Sequence, residues 1–130
     1  MNFKCKNCDG RCCLDTEMLL SKKDINLILK NSAIELKKEY FVSKQGNYFK
    51  LKNYEDHCVF FNIKSKTCKI YNHRPQGCRF YPLIYDKDKG SCLLDSECPR
   101  THLFYQSSKE YKQTCKKIIF FLKEHLNIDL

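Results

Sequence analysis

Ten cysteines in 130 residues begin with Cys5, Cys8, Cys12 and Cys13, a CxxCxxxCC run inside the first fourteen positions. Cys58, Cys68 and Cys78 follow at ten-residue intervals, and Cys98 comes later. Thiolate is a preferred ligand of zinc and of the iron in iron–sulfur clusters. A CxxC turn suits both, because it aims two sulfurs at one centre and frees backbone N–H groups to bond them. Adjacent Cys12 and Cys13 add a geometric hint. In extended backbone, successive side chains point to opposite faces, so the two sulfurs serve different metals or different edges of one cluster. Eight sulfurs make two sets of four, which favours two centres or one polynuclear cluster over a single four-cysteine site.

A disulfide framework in a secreted domain is the competing use of so many thiols. Residues 1 to 4 leave no room for an apolar leader before the cysteines, and stretches such as Ile118 to Leu122 are far too short to span a bilayer. The sequence therefore reads as cytoplasmic, not membrane-bound, with its thiols mostly reduced and available to metal. A formal charge of +9, counted with neutral cysteines, leaves a basic surface even after thiolates and metal are included. Such a surface permits an acidic redox or protein partner, or nucleic acid, without demanding either. The spacing of a nucleic-acid-reading zinc finger is absent, and a solvated lysine surface explains the charge.

Other residue types are weaker candidates. Arg74 and Arg79 suit a cluster sulfide, a thiolate or an anion, as cofactor-binding residues around the metal, yet an arginine beside proline in a tight turn more commonly holds loop carbonyls. His57 and His73 are eligible ligands, but with eight better-placed thiols they read as surface histidines. Tyr71, Phe80 and Tyr81 are expected to form an apolar shell that shields the metal from water. No Gly-rich phosphate loop, serine–histidine pairing or carboxylate dyad is present, so no catalytic motif is recognisable.

The same cysteines carry a resemblance. Cys5-Lys-Asn-Cys8-Asp-Gly-Arg-Cys12-Cys13, Cys58-Val-Phe-Phe, the string Cys68-Lys-Ile-Tyr-Asn-His-Arg74-Pro75-Gln-Gly-Cys78-Arg79-Phe-Tyr-Pro82 and Cys98-Pro99 resemble the CxxCxxCC cysteine-cluster family, also called the YkgJ family. The resemblance spans residues 3 to about 99 and implies zinc or iron chelation. By position it marks Cys5, Cys8, Cys12, Cys13, Cys58, Cys68, Cys78 and Cys98 as the chelating set, leaving Cys92 and Cys115 outside. The gap between Cys8 and Cys12 is one residue longer than the family's name implies. A related pattern in flagellin lysine methylases, associated with an iron–sulfur cluster, tilts the expectation toward a 4Fe-4S centre, with zinc as the alternative. The functions this leaves open are electron transfer or a redox or modification reaction, a zinc-stabilised binding module for protein or RNA, and metal or sulfur handling.

The elements that must hold these residues read as one α+β domain over 1–130, stapled by metal. Ser21-x-x-Asp24 starts a helix through Ile25, Ile28 and Leu29, and Ser32-x-x-Glu35 starts a second through Leu36, Tyr40 and Phe41 that Gly46 ends. Tyr48 to Leu51 alternates like a strand. Cys58 to Phe61 and Thr67 to Tyr71 predict a thiol-bearing hairpin around Asn62 to Lys66. Pro75 sets a turn and Gly77 lets backbone approach whatever Cys78 holds. Arg79 to Tyr85 and Ser91 to Asp95 predict a second hairpin. Tyr111, Cys115, Ile118, Ile119, Leu122 and Leu126 recur at helical spacing within a C-terminal helical extension over 104–128, with Phe120 and Phe121 widening its buried face. Cys115 lies on that stripe and reads as a core thiol.

Overall fold

The computed structural model describes residues 13, 14, 16–32 and 35–130. Among these the protein is α+β, with short helices and small antiparallel strand pairs. Strand β1 (Leu19–Leu20) runs into helix α1 (Lys22–Lys30), followed by hairpin β2 (Val42–Gln45) and β3 (Tyr48–Leu51). β3 is central, flanked by β1 and β2, with Leu20 opposite Phe49 and Val42 opposite Leu51. Hairpins β4 (Asn53–Tyr54) with β5 (His57–Cys58), and β6 (Phe61–Asn62) with β7 (Thr67–Cys68), come next. Helix α2 (Gln76–Phe80) leads to hairpin β8 (Leu83–Asp86) and β9 (Ser91–Leu94), and α3 (Ser108–Phe120) ends in a π-helical turn over Phe121–His125.

Helix α1 forms where the capping box expects it. The Ser21 hydroxyl accepts from Asp24 N, and the Asp24 carboxylate accepts from Ser21 N, each at 3.0 Å. Ile25 and Ile28 then face inward, joining Leu20, Phe41, Leu51, Cys58, Phe60 and Phe61 in the main apolar core. Burying each such side chain stabilises the fold by about 1.5–3 kcal/mol. A second apolar group at the other end of the chain contains Leu83, Ile118, Phe121 and Leu126.

Of the expected second N-terminal helix, the described residues show only a 3-10 turn, Lys38–Tyr40, capped by no side chain, with Leu36 ahead of it; residues 33 and 34 lie outside the described residues. Sheet pairing overrides the local capping signal. Phe41 is fully buried, its carbonyl accepts from Lys52 N at 2.9 Å, and Val42 is already in the ladder. Gly46 consequently ends no helix. With φ of 59° it turns the β2–β3 hairpin, at a position where a side chain would be strained.

Four hairpins occur among the described residues where the sequence suggested two carrying most of the cysteines. The run Cys58 to Phe61 is divided between two of them: Cys58 pairs with Asn53, while Phe61 pairs with Cys68. Arg79 and Phe80 are helical, so the later hairpin starts only at Leu83. The C-terminal helix begins at Ser108, whose preceding Ser107 caps Glu110 N. Its stripe packs on β8, but Phe120 is 59% exposed and does not widen the buried face, whereas Phe121 does.

One buried side chain fixes α2 against the N-terminal layer. Asp24, 6% exposed, accepts from Ser21 N through one carboxylate oxygen and from Gln76 N through the other, at 3.0 Å each. Gly77 sits one residue further along, and a Cβ there would collide with the Met18 sulfur. The close approach expected of Gly77 is therefore made to Met18. Asp24→Ala strands one buried and one half-buried N–H group and is expected to cost about 3 kcal/mol in urea unfolding, against less than about 0.5 kcal/mol for Asp88→Ala in the exposed 87–90 turn.

Candidate metal centre

Cys13, Cys58, Cys68, Cys78 and Cys98 all line one chamber of about 1000 Å³. They reach it from separate segments: ahead of β1, from β5, from β7, from α2, and from the turn after β9. Cys5, Cys8 and Cys12 lie outside the described residues.

Backbone pairing delivers each of the five. Leu14 bridges antiparallel to His57, which sets residue 13 beside residue 58. The following stretch is tied down by the Asn53 side chain, whose oxygen accepts from Thr16 N at 3.0 Å and whose amide donates to Thr16 O at 2.9 Å. Asn53 also pairs with Cys58, so one residue registers the N-terminal cysteine segment against the hairpin. Cys68 is opposite Phe61 across the next ladder. Cys78 rides on α2, held by Asp24. Cys98 is fixed through Asp95: Tyr81 donates its hydroxyl to Asp95 Oδ2 at 2.8 Å, Glu97 N donates to Asp95 Oδ1 at 3.0 Å, and Cys98 N donates to Asp95 O at 3.1 Å.

The chamber lies between the two apolar groups. Leu51 and Phe61 line it from one, and Leu83, Ile118, Phe121 and Leu126 from the other. Tyr71, Phe80 and Tyr81 complete an aromatic wall. Arg74 also lines it, but its hydrogen bonds serve the loop. Nε donates to Tyr71 O at 3.0 Å, Nη1 reaches Cys78 O at 3.5 Å, and the guanidinium stacks over the Tyr71 ring at 4.0 Å. Arg79 Nε donates to Arg74 O at 3.1 Å. Both arginines therefore hold carbonyls around Cys78. His57 is half-buried between Tyr54 and Phe61, its Nδ1 within 2.9 Å of Cys58 O; His73 ends the 3-10 turn Tyr71–His73.

Among the described residues, no three His, Cys, Asp or Glu side chains stand close enough together to hold a metal ion. The donor set nevertheless has the chemistry of a thiolate site: five cysteines face one largely apolar space, with cysteine-rich sequence immediately ahead of Cys13.

Cys92 and Cys115 are joined in a disulfide with Cα atoms 5.9 Å apart. Cys115 is thus a covalent partner and not an isolated core thiol, and the expectation of reduced thiols fails at this pair. Neither residue lines the chamber. The bond ties α3 to β9, and the Tyr111 hydroxyl reinforces it by donating to Cys92 O at 2.7 Å. No helix of the described residues is long and apolar enough to cross a membrane.

The cysteine pattern matches a family described as "Putative zinc- or iron-chelating domain" over residues 4–116. The chain belongs to the CxxCxxCC family. Its matched region holds all eight cysteines of the expected set, together with Cys92 and Cys115. The uncharacterized protein MJ0661 of Methanocaldococcus jannaschii is 36% identical over 95 residues, covering 71% of this chain and 50% of the relative. The chain therefore spans about half the length of that relative. No solved structure matches it.

Sequence reasoning read Asp24 only as part of the α1 cap and missed its bond to α2, and it missed the roles of Asn53 and Asp95. Asn53 and Asp24 bond backbone far away in sequence, and Asp95 organises the Cys98 turn; nothing in residue type or spacing announces such partners. The disulfide spans 23 residues, so Cys115→Ala is expected to lower stability by about 3 kcal/mol, well beyond a packing loss of about 1 kcal/mol. Chemical denaturation with and without reductant checks this, since reductant should shrink the difference between the two proteins to the packing loss of about 1 kcal/mol.

Tyr105 offers a pH test of the α2 end of the site. Its hydroxyl donates to Phe80 O at 2.7 Å. Burial raises its pKa above the ordinary 10.0, Glu110 adds to the shift, and Arg74 opposes it. The neutral phenol is favoured in the folded state, so this contribution is complete below pH 10 and is lost as pH rises through the raised folded value. Tyr105→Phe should flatten that part of the alkaline loss of stability, measured as unfolding midpoint against pH.

Proposed function

We propose that the chamber cysteines, with Cys5, Cys8 and Cys12, ligate an iron–sulfur centre, and that the protein serves electron transfer or the redox part of a modification reaction. The observation carrying this reading is the convergence of five cysteines from five separate segments on one aromatic-walled chamber of about 1000 Å³. A structural zinc ion needs only a closed tetrahedron of four ligands. A chamber this large, with eight cysteines in the family pattern, suits a polynuclear centre or two centres better.

Each centre would draw on the N-terminal run as well as on the hairpins. Cys13 stands in a 3-10 turn and not in extended backbone, so adjacency alone supports giving Cys12 and Cys13 different corners or different centres. When bound, the group supplies one-electron redox chemistry at thiolate-ligated iron. The chain's own contribution is to hold the sulfurs, to present backbone N–H groups to them, and to limit water with Tyr71, Phe80 and Tyr81. Metal would then also staple the two apolar groups across the chamber, making one folded unit of residues 1–130.

Material purified without oxygen should be brown and contain iron with acid-labile sulfide. Zinc in stoichiometric amount, with no sulfide, would leave chelation standing and overturn the iron–sulfur reading. In the same preparation, Cys68→Ala and Cys78→Ala should lose metal and soluble fold together, while Cys115→Val keeps its metal. Equal metal loss in Cys115→Val and Cys78→Ala would contradict the ligand assignment. Cys13→Ser should lose part of the metal and leave a spectroscopically distinct remainder.

A further inference from the structure

Behind the chamber wall lies a second concavity of about 520 Å³, within the range of about 300–1,000 Å³ typical of small-molecule sites. The two spaces share Phe80 and Phe121, whose rings meet edge to face at 6.0 Å and form the partition between them. Three features of this groove are unexplained by the metal centre.

The first is its charge. Lys23, Arg79, Lys116 and Lys117 line it from α1, α2 and α3, and no carboxylate pairs with any of them among the described residues. Asp24 is the acidic residue of the lining, and both its carboxylate oxygens already accept backbone N–H groups. What remains is a largely apolar concavity edged by exposed cations, suited to a ligand that joins an apolar ring to oxygens that only accept, such as those of a phosphate.

The second is an aromatic surface beside those cations. Phe120 is 59% exposed and lines the groove, although it sits on a helix that buries its neighbours Ile118 and Phe121. His125 contacts both phenylalanines, at 5.8 Å from Phe120 and 5.9 Å from Phe121.

The third is the backbone that places these rings. Leu126 N bonds Phe121 O at 3.1 Å in the π-helical turn that follows α3, swinging His125 under Phe120. Such turns are rare and occur frequently at functional sites. Here the turn gathers an exposed ring and a histidine at the mouth of a cationic groove.

We propose that this groove binds a nucleoside phosphate. The phosphate oxygens accept from the Lys23, Arg79, Lys116 and Lys117 side chains, and the base stacks on Phe120. Stacking on an aromatic side chain is worth about five- to a hundredfold in affinity per base, and long-range attraction by the cations makes binding salt-dependent. Bound ligand would lie one aromatic layer from the chamber. The proposal does not depend on which metal the chamber holds.

Calorimetric titration of the full-length, metal-loaded protein tests it, with ADP, adenosine, pyrophosphate and a ten-nucleotide single-stranded RNA as probes. ADP should bind at least about tenfold more tightly than either adenosine or pyrophosphate, because it alone engages both the cations and the ring. The double variant Lys116→Glu/Lys117→Glu should weaken ADP by about tenfold or more, and Lys23→Glu, on a different helix, should weaken it in the same direction. Phe120→Ala should weaken ADP about fivefold or more and leave pyrophosphate unchanged. Metal content and thermal midpoint, measured on each variant, identify any that misfolds, and the exposed positions on two helices leave an interpretable variant in hand. ADP binding no tighter than pyrophosphate, or insensitive to charge reversal on both helices, would reduce the groove to a solvated lysine face and overturn the proposal. RNA binding about tenfold tighter than ADP would overturn it in favour of a nucleic-acid surface.

Discussion

The Asp24 carboxylate is the interaction on which the placement of the site depends. It closes the capping box of α1 and, across 52 residues, also accepts from Gln76 N at the start of α2. Helix α2 is only five residues long and has no side-chain cap of its own, so it has little intrinsic stability. Its position is borrowed from α1 and β1, through Asp24 on one side and the Gly77–Met18 contact on the other. Cys78 and the two loop-holding arginines inherit that position.

The same logic extends outward from α2. Its last residue, Phe80, gives its carbonyl to Tyr105, and the next, Tyr81, bonds the Asp95 turn that presents Cys98. A chain of hydrogen bonds thus links the cysteines of α2 and of the turn after β9, while Asn53 links the N-terminal segment to Cys58. The strands between the apolar groups at either side of the chamber are only two to four residues long. Such short ladders are marginal by themselves, which is the physical reason a thiolate-bound metal would matter to the fold as well as to the chemistry.

Much of this arrangement was legible in the sequence wherever the signal was local. The Ser21 capping box, the alternation in Tyr48 to Leu51, the hairpin around residues 87–90 and the helical stripe of the C-terminus all lie where residue type and period put them. The failures share one cause. Ser32-x-x-Glu35 carries a helix signal as strong as that of Ser21, but Phe41 and Val42 gain more from burial in the sheet. Phe120 was expected to widen the buried stripe, yet it stands two residues from buried Ile118, near the opposite face of α3, and its ring stays in solvent. Cys92 and Cys115 were separable from the other cysteines through the family pattern, while their bond to each other was not, since pairing is set by how α3 lies on β9.

Two compartments on opposite sides of the Phe80–Phe121 partition organise the molecule: a cysteine chamber and a cationic groove. Whether the first is a thiolate metal centre can be read directly by X-ray absorption at the metal edge, on protein purified without oxygen. The account predicts a nearest shell made of sulfur alone, at about 2.3 Å, with a metal–metal scatterer beyond it if the centre is polynuclear. A shell dominated by nitrogen or oxygen at about 2.0–2.1 Å, or protein that binds no metal at all, would contradict it.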